Sequence, residues 1–299
     1  MERPASGTLA PMKDLSVPVV GEASINVWHR PPGPGSETAL LIHGLTGTSR
    51  WWIPVISLLP PELGLVVPDL RGRGRSSSAP GPYDIATMAD DLELVIGHLG
   101  VSSPVVAGYS MGAWVAAIFS NRHPGRARRL VLIDGGLPIP VDVTLDEAEV
   151  LDSVVGPSLR RLSSSFTTKE AYFDFYRKHP AFIGWWYPGL EAVFDYEIRE
   201  IDGGFAVDAN GEAVIRSGRD FTFGEGIIDA ARDVSVSTEL LVVDHGMLGQ
   251  PGGFIPVEVA REAAEANPHL RHTMVEGMNH YSLLMGSGAP RVARAITGA

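Results

Sequence analysis

A serine between two glycines constrains most strongly how this chain can fold. Gly108-Tyr109-Ser110-Met111-Gly112 directly follows an apolar run, Pro104–Ala107, and directly precedes a helix-like stretch, Ala113–Ser120. A nucleophilic serine on a strained strand-to-helix turn needs this context, because side chains two positions away would collide with neighbouring backbone. The helix N-terminus also favours the negative charge that develops in acyl transfer. The pattern predicts Ser110 as a nucleophile; the alternative is a tight turn with an incidental serine.

Apolar runs elsewhere predict buried strands that alternate with amphipathic helices, the pattern of a mostly parallel sheet with helices on both faces. The predicted strands are Ala39–Ile42, Leu65–Val67, Pro104–Ala107, Leu130–Ile133, Leu240–Val243 and Leu270–Val275. The predicted helices outside the serine motif are Asp84–Leu99, Val259–Ala266 and Pro290–Ile296. Before them, the segment from Val17 to His29 predicts an antiparallel hairpin that turns near Gly21.

The alternation breaks between about Pro138 and Phe223, a region that holds 14 of the chain's 23 aromatic residues. Asp202-Gly203-Gly204 and Asn210-Gly211 are turn signals in a stretch typical of a short hairpin. An insertion of this size between two sheet strands predicts a cap. The predicted organisation is therefore a core domain in two parts, 1–137 and 224–299, with a cap over 138–223.

Together these motifs resemble the α/β-hydrolase superfamily along almost the whole chain. His43-Gly44-Leu45-Thr46-Gly47 follows a predicted strand, as the HG oxyanion loop of that family does, and Asp69–Ser76 matches its D-x-R-G-x-G-x-S loop. The resemblance implies the α/β-hydrolase fold, with an inserted cap. It also implies an oxyanion hole formed by the backbone N–H groups of Leu45 and Met111. His43 and Arg71 are expected to be structural, with Arg71 bracing loops near the serine.

The family order of serine, acid and histidine implies a base late in the chain. His280, in Gly277–Tyr281, follows the last predicted strand in an expected loop and is the predicted general base. The usual acid position, after the seventh strand of the family's sheet, falls near Leu248, which cannot orient an imidazole. A minority of the family carries the acid after the sixth strand, where this sequence has Asp134. We predict Asp134 as the acid, with Asp244 as the alternative.

The resemblance implies hydrolysis of a carboxylic ester or lactone through an acyl-enzyme. The aromatic cap favours a bulky apolar or aromatic substrate, including a macrocyclic lactone, bound by Trp185, Trp186 and Tyr187. Alternatively, those aromatic residues pack the cap's own core. Carbon–carbon bond hydrolases and cofactor-free haloperoxidases share the same triad and remain alternatives. A small-molecule receptor on the same fold is the non-enzyme alternative.

Composition excludes several other classes. The formal net charge of −11 disfavours a nucleic-acid partner, because such a binder needs a basic face. The absence of cysteine removes disulfides, thiol nucleophiles and thiolate metal sites, and is compatible with a cytoplasmic location. Neither a signal peptide nor the run of roughly 18 apolar residues that a membrane helix needs is apparent. No cofactor or metal is predicted, and the sequence does not indicate an oligomeric state.

Overall fold

The computed structural model describes residues 11–21 and 23–298. Residues 1–10, 22 and 299, which include both ends of the predicted core domain, lie outside the described residues. The strands are β1 (Lys13–Pro18), β2 (Ser24–Arg30), β3 (Thr38–Ile42), β4 (Gly64–Pro68), β5 (Val105–Tyr109), β6 (Arg129–Ile133), β7 (Ser165–Phe166), β8 (Ile198–Ile201), β9 (Gly204–Val207), β10 (Thr238–His245) and β11 (Leu270–Asn279). The α-helices are α1 (Ile53–Ile56), α2 (Ile85–His98), α3 (Met111–Arg122), α4 (Glu147–Leu162), α5 (Lys169–Arg177), α6 (Glu191–Asp195), α7 (Gly211–Phe223), α8 (Val257–Ala266), α9 (His280–Met285) and α10 (Ala289–Thr297).

Eight strands of the described residues form one sheet, in the order β1-β2-β4-β3-β5-β6-β10-β11. β1 pairs antiparallel with β2, and β2 antiparallel with β4, whereas the other neighbours are parallel. Parallel strands must be covered on both faces, which explains why β3, β4 and β5 consist entirely of buried residues. The α/β-hydrolase fold predicted from the sequence is confirmed.

Two buried clusters of apolar side chains lie on opposite faces of this sheet. One contains the apolar sides of α2, α3 and α8, and the other contains those of α1, α9 and α10. The predicted helix Asp84–Leu99 is α2, and Asp84 caps its first turn by accepting the Thr87 N–H at 2.8 Å. No helix in the described ranges is long and apolar enough to cross a membrane.

The segment between β6 and β10 contains α4 to α7 and a small antiparallel sheet in the order β7-β9-β8. We call residues 138–223 the insertion. Gly203 lies at the turn of the β8–β9 hairpin, with φ of 79°. The predicted turn at Asn210-Gly211 is wrong: Asn210 caps α7 by accepting the N–H groups of Glu212 and Ala213. Asparagine suits both turns and helix N-caps, so the dipeptide alone could not distinguish them.

Arg71 is structural, as the sequence indicated, but it braces a helix of the core. Its Nε and Nη2 groups donate to the two carboxylate oxygens of Asp91 on α2, at 2.8 and 2.6 Å. Both side chains are almost fully buried, at 3% and 5% exposed. The pair therefore ties the loop that follows β4 to α2.

We predict that Asp91→Asn lowers the free energy of unfolding by about 3–5 kcal/mol, because it leaves the Arg71 cation buried without a counter-charge. Asp90→Asn is the matched control. Asp90 is the adjacent residue on α2 and pairs with Arg122 at an exposed position, where an ion pair contributes about 0–1 kcal/mol. Urea denaturation of both variants would test this, and equal losses would contradict a special role for the buried pair.

Candidate active site

Ser110 lies on the turn between β5 and α3, one residue before the helix begins. Its φ of 54° and ψ of −125° lie in a region that non-glycine residues rarely adopt, at a cost of about 1–3 kcal/mol. The backbone continues the β5–β6 pairing, since the Ser110 N–H donates to the Ile133 carbonyl at 2.8 Å. The sheet therefore holds the serine in its strained conformation.

The two glycines of the motif are required by close approach of the backbone. A Cβ atom on Gly112 would lie 2.3 Å from the Ile42 carbonyl oxygen, and one on Gly108 would lie 2.1 Å from the Gly112 oxygen. Neither contact could be relieved by a side-chain rotation, because both oxygens belong to the backbone. The start of α3 can thus sit against the end of β3 only if both positions are glycine.

Asp134 follows β6 directly and is fully buried. Its φ of 48° makes it, with Ser110, one of two non-glycine residues in the described chain that have a positive φ. The Asp134 N–H donates to the Leu241 carbonyl at 2.8 Å, which extends the β6–β10 pairing by one residue. Its carboxylate lies 2.7 Å from Nδ1 of His280 and also accepts the Ile255 N–H at 3.4 Å. The structure therefore brings Asp134 and His280 together.

His280 lies in a different element from the one expected. The last strand, β11, runs on to Asn279, and His280 is the first residue of α9, so the predicted loop is wrong. Asn279 caps this helix by accepting the N–H groups of Tyr281 and Ser282, and the Ser282 hydroxyl accepts the Asn279 N–H in return. The Tyr109 hydroxyl donates to the His280 carbonyl at 3.1 Å. A helix start and a β5 side chain thus hold the backbone of His280, while Asp134 contacts its ring.

The remaining ring nitrogen of His280, Nε2, has no hydrogen-bond partner among the described residues. The Ser110 hydroxyl and His280 are therefore not hydrogen-bonded to each other within that part of the chain. A hydrogen bond between nucleophile and base is often long until substrate binds, so its absence does not disqualify the pair. Because Asp134 accepts the Nδ1 proton, Nε2 of the neutral ring is unprotonated and can act as a base.

Asp244, the alternative acid, lies at the end of β10 and does not contact His280. Its side chain is 34% exposed and accepts a hydrogen bond from the Gly277 N–H at 3.0 Å, while its other oxygen lies 2.9 Å from His245. Partial burial acts to raise the pKa of Asp244, but the Gly277 N–H and the His245 ring lower it overall. The geometry favours Asp134.

The HG loop is shaped by His43, which is fully buried. Nε2 of His43 accepts the Leu70 N–H at 2.9 Å, so Nδ1 carries the proton and donates to the Gly44 carbonyl at 2.7 Å. Burial lowers the pKa of His43 to about 3, which keeps the ring neutral. These bonds agree with the structural role predicted for it.

Arg73 is the residue that the sequence analysis missed. It is fully buried and donates to the Leu45 carbonyl at 2.9 Å and, across to α7, to the Ala213 carbonyl (3.1 Å) and the Ser217 hydroxyl (3.0 Å). Burial lowers the pKa of Arg73 to about 9, so it is still charged at neutral pH. The glycine-rich loop Asp69–Ser76 was a usable signal, but its motif specifies an arginine only at position 71 and leaves position 73 open. It is Arg73, and not Arg71, that braces the loop beside the serine.

Leu45 and Met111 lie where the oxyanion hole was predicted. Leu45 is in the loop after β3, and Met111 is the first residue of α3. Neither backbone N–H group has a hydrogen-bond partner among the described residues. Gly44, next to Leu45, comes close to Ser110: a Cβ atom there would lie 3.0 Å from Cβ of Ser110.

A cleft of about 440 Å³ lies next to this region; Ser110, Asp134 and His280 are not among its lining residues, but neighbours of theirs are. Thr46 of the HG loop, Phe254 and Tyr281 line it, and the latter two rings have centroids 4.9 and 5.6 Å from the His280 ring. The opposite wall comes from the insertion, through α4 and α5. The cleft thus reaches side chains that contact His280, and its lining is mostly apolar, with Ile139, Val154, Pro157, Phe175, Met247 and Leu248.

Trp185, Trp186 and Tyr187 are not among the residues that line this cleft. Trp185 stacks on Phe182 with ring centroids 4.7 Å apart, Trp186 stacks on Phe194 at 5.5 Å, and Tyr187 donates to the Met285 carbonyl at 3.2 Å. These contacts are the ones expected if the three side chains pack within the insertion and against α9, which was the alternative. Their predicted role in substrate binding stays a prediction.

The described part of the chain contains no group of three or more His, Asp or Glu side chains that could hold a metal ion. The site itself offers a serine, a histidine held by a buried carboxylate, and two backbone N–H groups without partners among the described residues.

Comparison with known proteins agrees with the fold. The family model for the alpha/beta hydrolase fold matches residues 39–175. A protein of Caulobacter segnis named "Putative carbamate hydrolase RutD" is 36% identical over 109 residues, which are 36% of this chain. The chain spans about two fifths of the length of the curated relatives it matches, 41% in this case.

Two solved structures are similar over nearly the whole chain. E-2-(acetamidomethylene)succinate hydrolase matches with a TM-score of 0.78 and 20% identity, covering 96% of this chain and 100% of the other. A thermophilic esterase of Thermogutta terrifontis matches with a TM-score of 0.65 and 22% identity, covering 96% and 97%. With the sheet order and the matched family model, this likeness leads to one conclusion: the chain has the α/β-hydrolase fold.

Proposed function

We propose that this protein is a serine hydrolase that cleaves a carboxylic ester or lactone through an acyl-enzyme. The observation that carries the proposal is the 2.7 Å contact between Nδ1 of His280 and the buried Asp134 carboxylate, beside a serine on a strained turn. A carboxylate in this position fixes the imidazole tautomer and stabilises the imidazolium that forms during catalysis.

In the proposed reaction the Ser110 oxygen attacks the substrate carbonyl while Nε2 of His280 takes the hydroxyl proton. The N–H groups of Leu45 and Met111 donate to the oxyanion of the tetrahedral intermediate. As the intermediate collapses, the bond to the leaving oxygen breaks, and His280 returns its proton to that oxygen. Water, deprotonated by His280, then attacks the acyl-enzyme and releases the acid and the free serine.

The apolar lining of the cleft supports a substrate with a sizeable hydrocarbon part. A second candidate is hydrolysis of a carbamate, which is favoured by the name of the Caulobacter segnis relative. Carbon–carbon bond cleavage and haloperoxidase chemistry would use the same triad, and a receptor would bind without turnover. A panel of aryl esters and aryl carbamates distinguishes these, because only the proposed enzyme prefers the esters.

Residues of the insertion form one wall of the cleft, so we propose that the insertion acts as the cap of the predicted organisation. A cytoplasmic location stays a prediction that rests on composition alone.

We predict that Ser110→Ala lowers kcat on the best aryl ester by at least about 10³-fold, because the nucleophile is lost while the glycines that shape the turn remain. An organophosphonate should label Ser110 in the unmodified protein and not in the variant. Ser120→Ala, at a buried serine on the same helix, is the control and should keep its activity. Activity above a few per cent in the Ser110 variant would show that another group is the nucleophile.

A second prediction separates the two candidate acids. Asp134→Asn keeps the shape but presents the wrong partner to Nδ1 of His280, a change that costs about 10⁴-fold in kcat in a comparable triad. Asp244→Asn, at a residue that does not contact His280, should cost less than about tenfold. Steady-state kinetics on both variants, after circular dichroism has shown that each is folded, gives the answer. If the Asp244 variant were inactive and the Asp134 variant active, the catalytic acid would be Asp244, near the position after the seventh strand that is usual in the family.

A further inference from the structure

The cleft beside the triad contains one charged side chain. Of the described residues that line it, only Arg161, from α4 of the insertion, carries a charge, and no Asp or Glu lies in its wall. The Arg161 side chain is 6% exposed. Burying a cation this deeply is costly unless its hydrogen-bonding groups are satisfied, so the partners of each nitrogen indicate what the residue does.

Protein groups satisfy one of its nitrogens. Nη1 donates to the Tyr172 hydroxyl at 2.6 Å and to the Glu197 carboxylate at 3.0 Å. Glu197 is 1% exposed and also accepts from the Trp51 indole and from the hydroxyls of Tyr172 and Tyr176. Burial acts to lower the pKa of Arg161, but Tyr172, Tyr176 and Glu197 raise it overall. The guanidinium is therefore charged and held in one position.

The other two nitrogens, Nε and Nη2, have no hydrogen-bond partner among the described residues. They are not sealed inside the protein either, since Trp52 Nε1 is the one fully buried side-chain N or O atom in the described ranges without a partner. Nε and Nη2 of Arg161 therefore reach the space of the cleft, where they can donate to a bound molecule.

The edge of a guanidinium that carries Nε and Nη2 has the right geometry to bind a carboxylate. The Nε–H and Nη2–H bonds run side by side, so both can donate to the two oxygens of one carboxylate. The chain uses the same edge twice elsewhere. Arg71 holds Asp91 through Nε and Nη2 at 2.8 and 2.6 Å, and Arg122 holds Asp90 through the same atoms at 3.0 and 2.7 Å.

Two further side chains that can donate hydrogen bonds, His179 and Tyr281, also line the cleft. Nδ1 of His179 accepts the Ala181 N–H at 3.3 Å, which places the proton of the neutral ring on Nε2. Burial and the nearby Arg161 lower the pKa of His179, so the neutral form prevails at neutral pH. Its ring centroid is 5.7 Å from that of Tyr281, which in turn lies 5.6 Å from His280. His179 and Tyr281 both line the cleft between Arg161 and the catalytic histidine.

Building on the proposed function, we infer that the substrate carries a carboxylate in addition to its scissile carbonyl, and that the Nε/Nη2 edge of Arg161 binds it. His179 and Tyr281 supply further donors, and the apolar wall holds the hydrocarbon between the two groups. Glu197 is a positioning residue: it occupies Nη1, and so leaves only the carboxylate-binding edge directed at the cleft. Selection for an acid-bearing substrate thus resides in the insertion, and the bond-breaking groups reside in the core.

Binding can test this without turnover. We expect the Ser110→Ala protein to bind 4-phenylbutyrate roughly 10- to 100-fold more tightly than 4-phenylbutanamide, as measured by calorimetry, because the amide cannot accept two charge-assisted hydrogen bonds. In a matched kinetic comparison, the unmodified protein should hydrolyse mono-4-nitrophenyl glutarate with a higher kcat/KM than its neutral methyl ester.

Two variants test whether Arg161 is the group responsible. Arg161→Lys keeps a cation beside Glu197 but lacks the paired Nε–H and Nη2–H donors. A double variant, Arg161→Gln with Glu197→Gln, removes both members of the buried pair and serves if the lysine variant does not fold. Either should reduce the preference for the acid over the amide to less than about threefold. Arg160→Lys is the control, since Arg160 precedes Arg161 on α4 but is 67% exposed, and it should retain the full preference.

The outcomes distinguish this inference from the proposed function. Equal binding of the acid and the amide by the Ser110→Ala protein would overturn the inference. A preference for the acid that survives in both Arg161 variants would also overturn it, because the anion would then bind elsewhere, for example at the N–H groups of the predicted oxyanion hole. An acid preference that depends on Arg161, in a protein that hydrolyses neither glutarate ester, would support the carboxylate site and contradict the ester hydrolase.

Discussion

Two adjacent strands, β5 and β6, place the catalytic candidates side by side, and each ends in a residue with strained backbone. Tyr109 and Ile133 are paired in the parallel ladder, so the residues that follow them, Ser110 and Asp134, emerge at the same edge of the sheet. Each keeps one further ladder hydrogen bond, from its own N–H to the neighbouring strand. Left-handed backbone at two non-glycine positions costs about 1–3 kcal/mol each, and the buried sheet supplies the restraint that maintains it.

This register explains why an acid after the sixth strand of the sheet can serve as well as one after the seventh. His280 starts α9 on the far side of β10, and its imidazole reaches back across the end of that strand to Asp134. Asp244, on β10 itself, is engaged by Gly277 and His245 instead. The carboxylate that pairs with His280 is therefore determined by which strand end lies next to the imidazole.

Sequence reasoning predicted the core fold, and it predicted the pair Asp134 and His280 that the structure brings together, because those features depend on local pattern. Glycine spacing around Ser110, apolar runs and strand-end carboxylates are visible in the chain itself. What it could not predict depends on contacts distant in sequence. Arg73 and Arg71 lie in the same loop, and only the packing of α7 and α2 decides which of them reaches Leu45 and which reaches Asp91. The aromatic residues of the insertion likewise predicted a cluster of rings. Which of these rings line the cleft is decided by tertiary packing.

Buried charges also explain how the insertion is joined to the core. Arg73 of the core donates to the Ala213 carbonyl and the Ser217 hydroxyl of α7, while Glu197 of the insertion accepts from Trp51 of the core. Each connection crosses the boundary with a hydrogen bond to a buried charged group, which is stronger than one between neutral groups. Arg73 also holds the Leu45 carbonyl, whose loop carries a predicted oxyanion donor, so α7 and that loop share one buried cation. A displacement of the insertion would disturb those bonds, and the loop that carries Leu45 is consequently coupled to the position of the insertion.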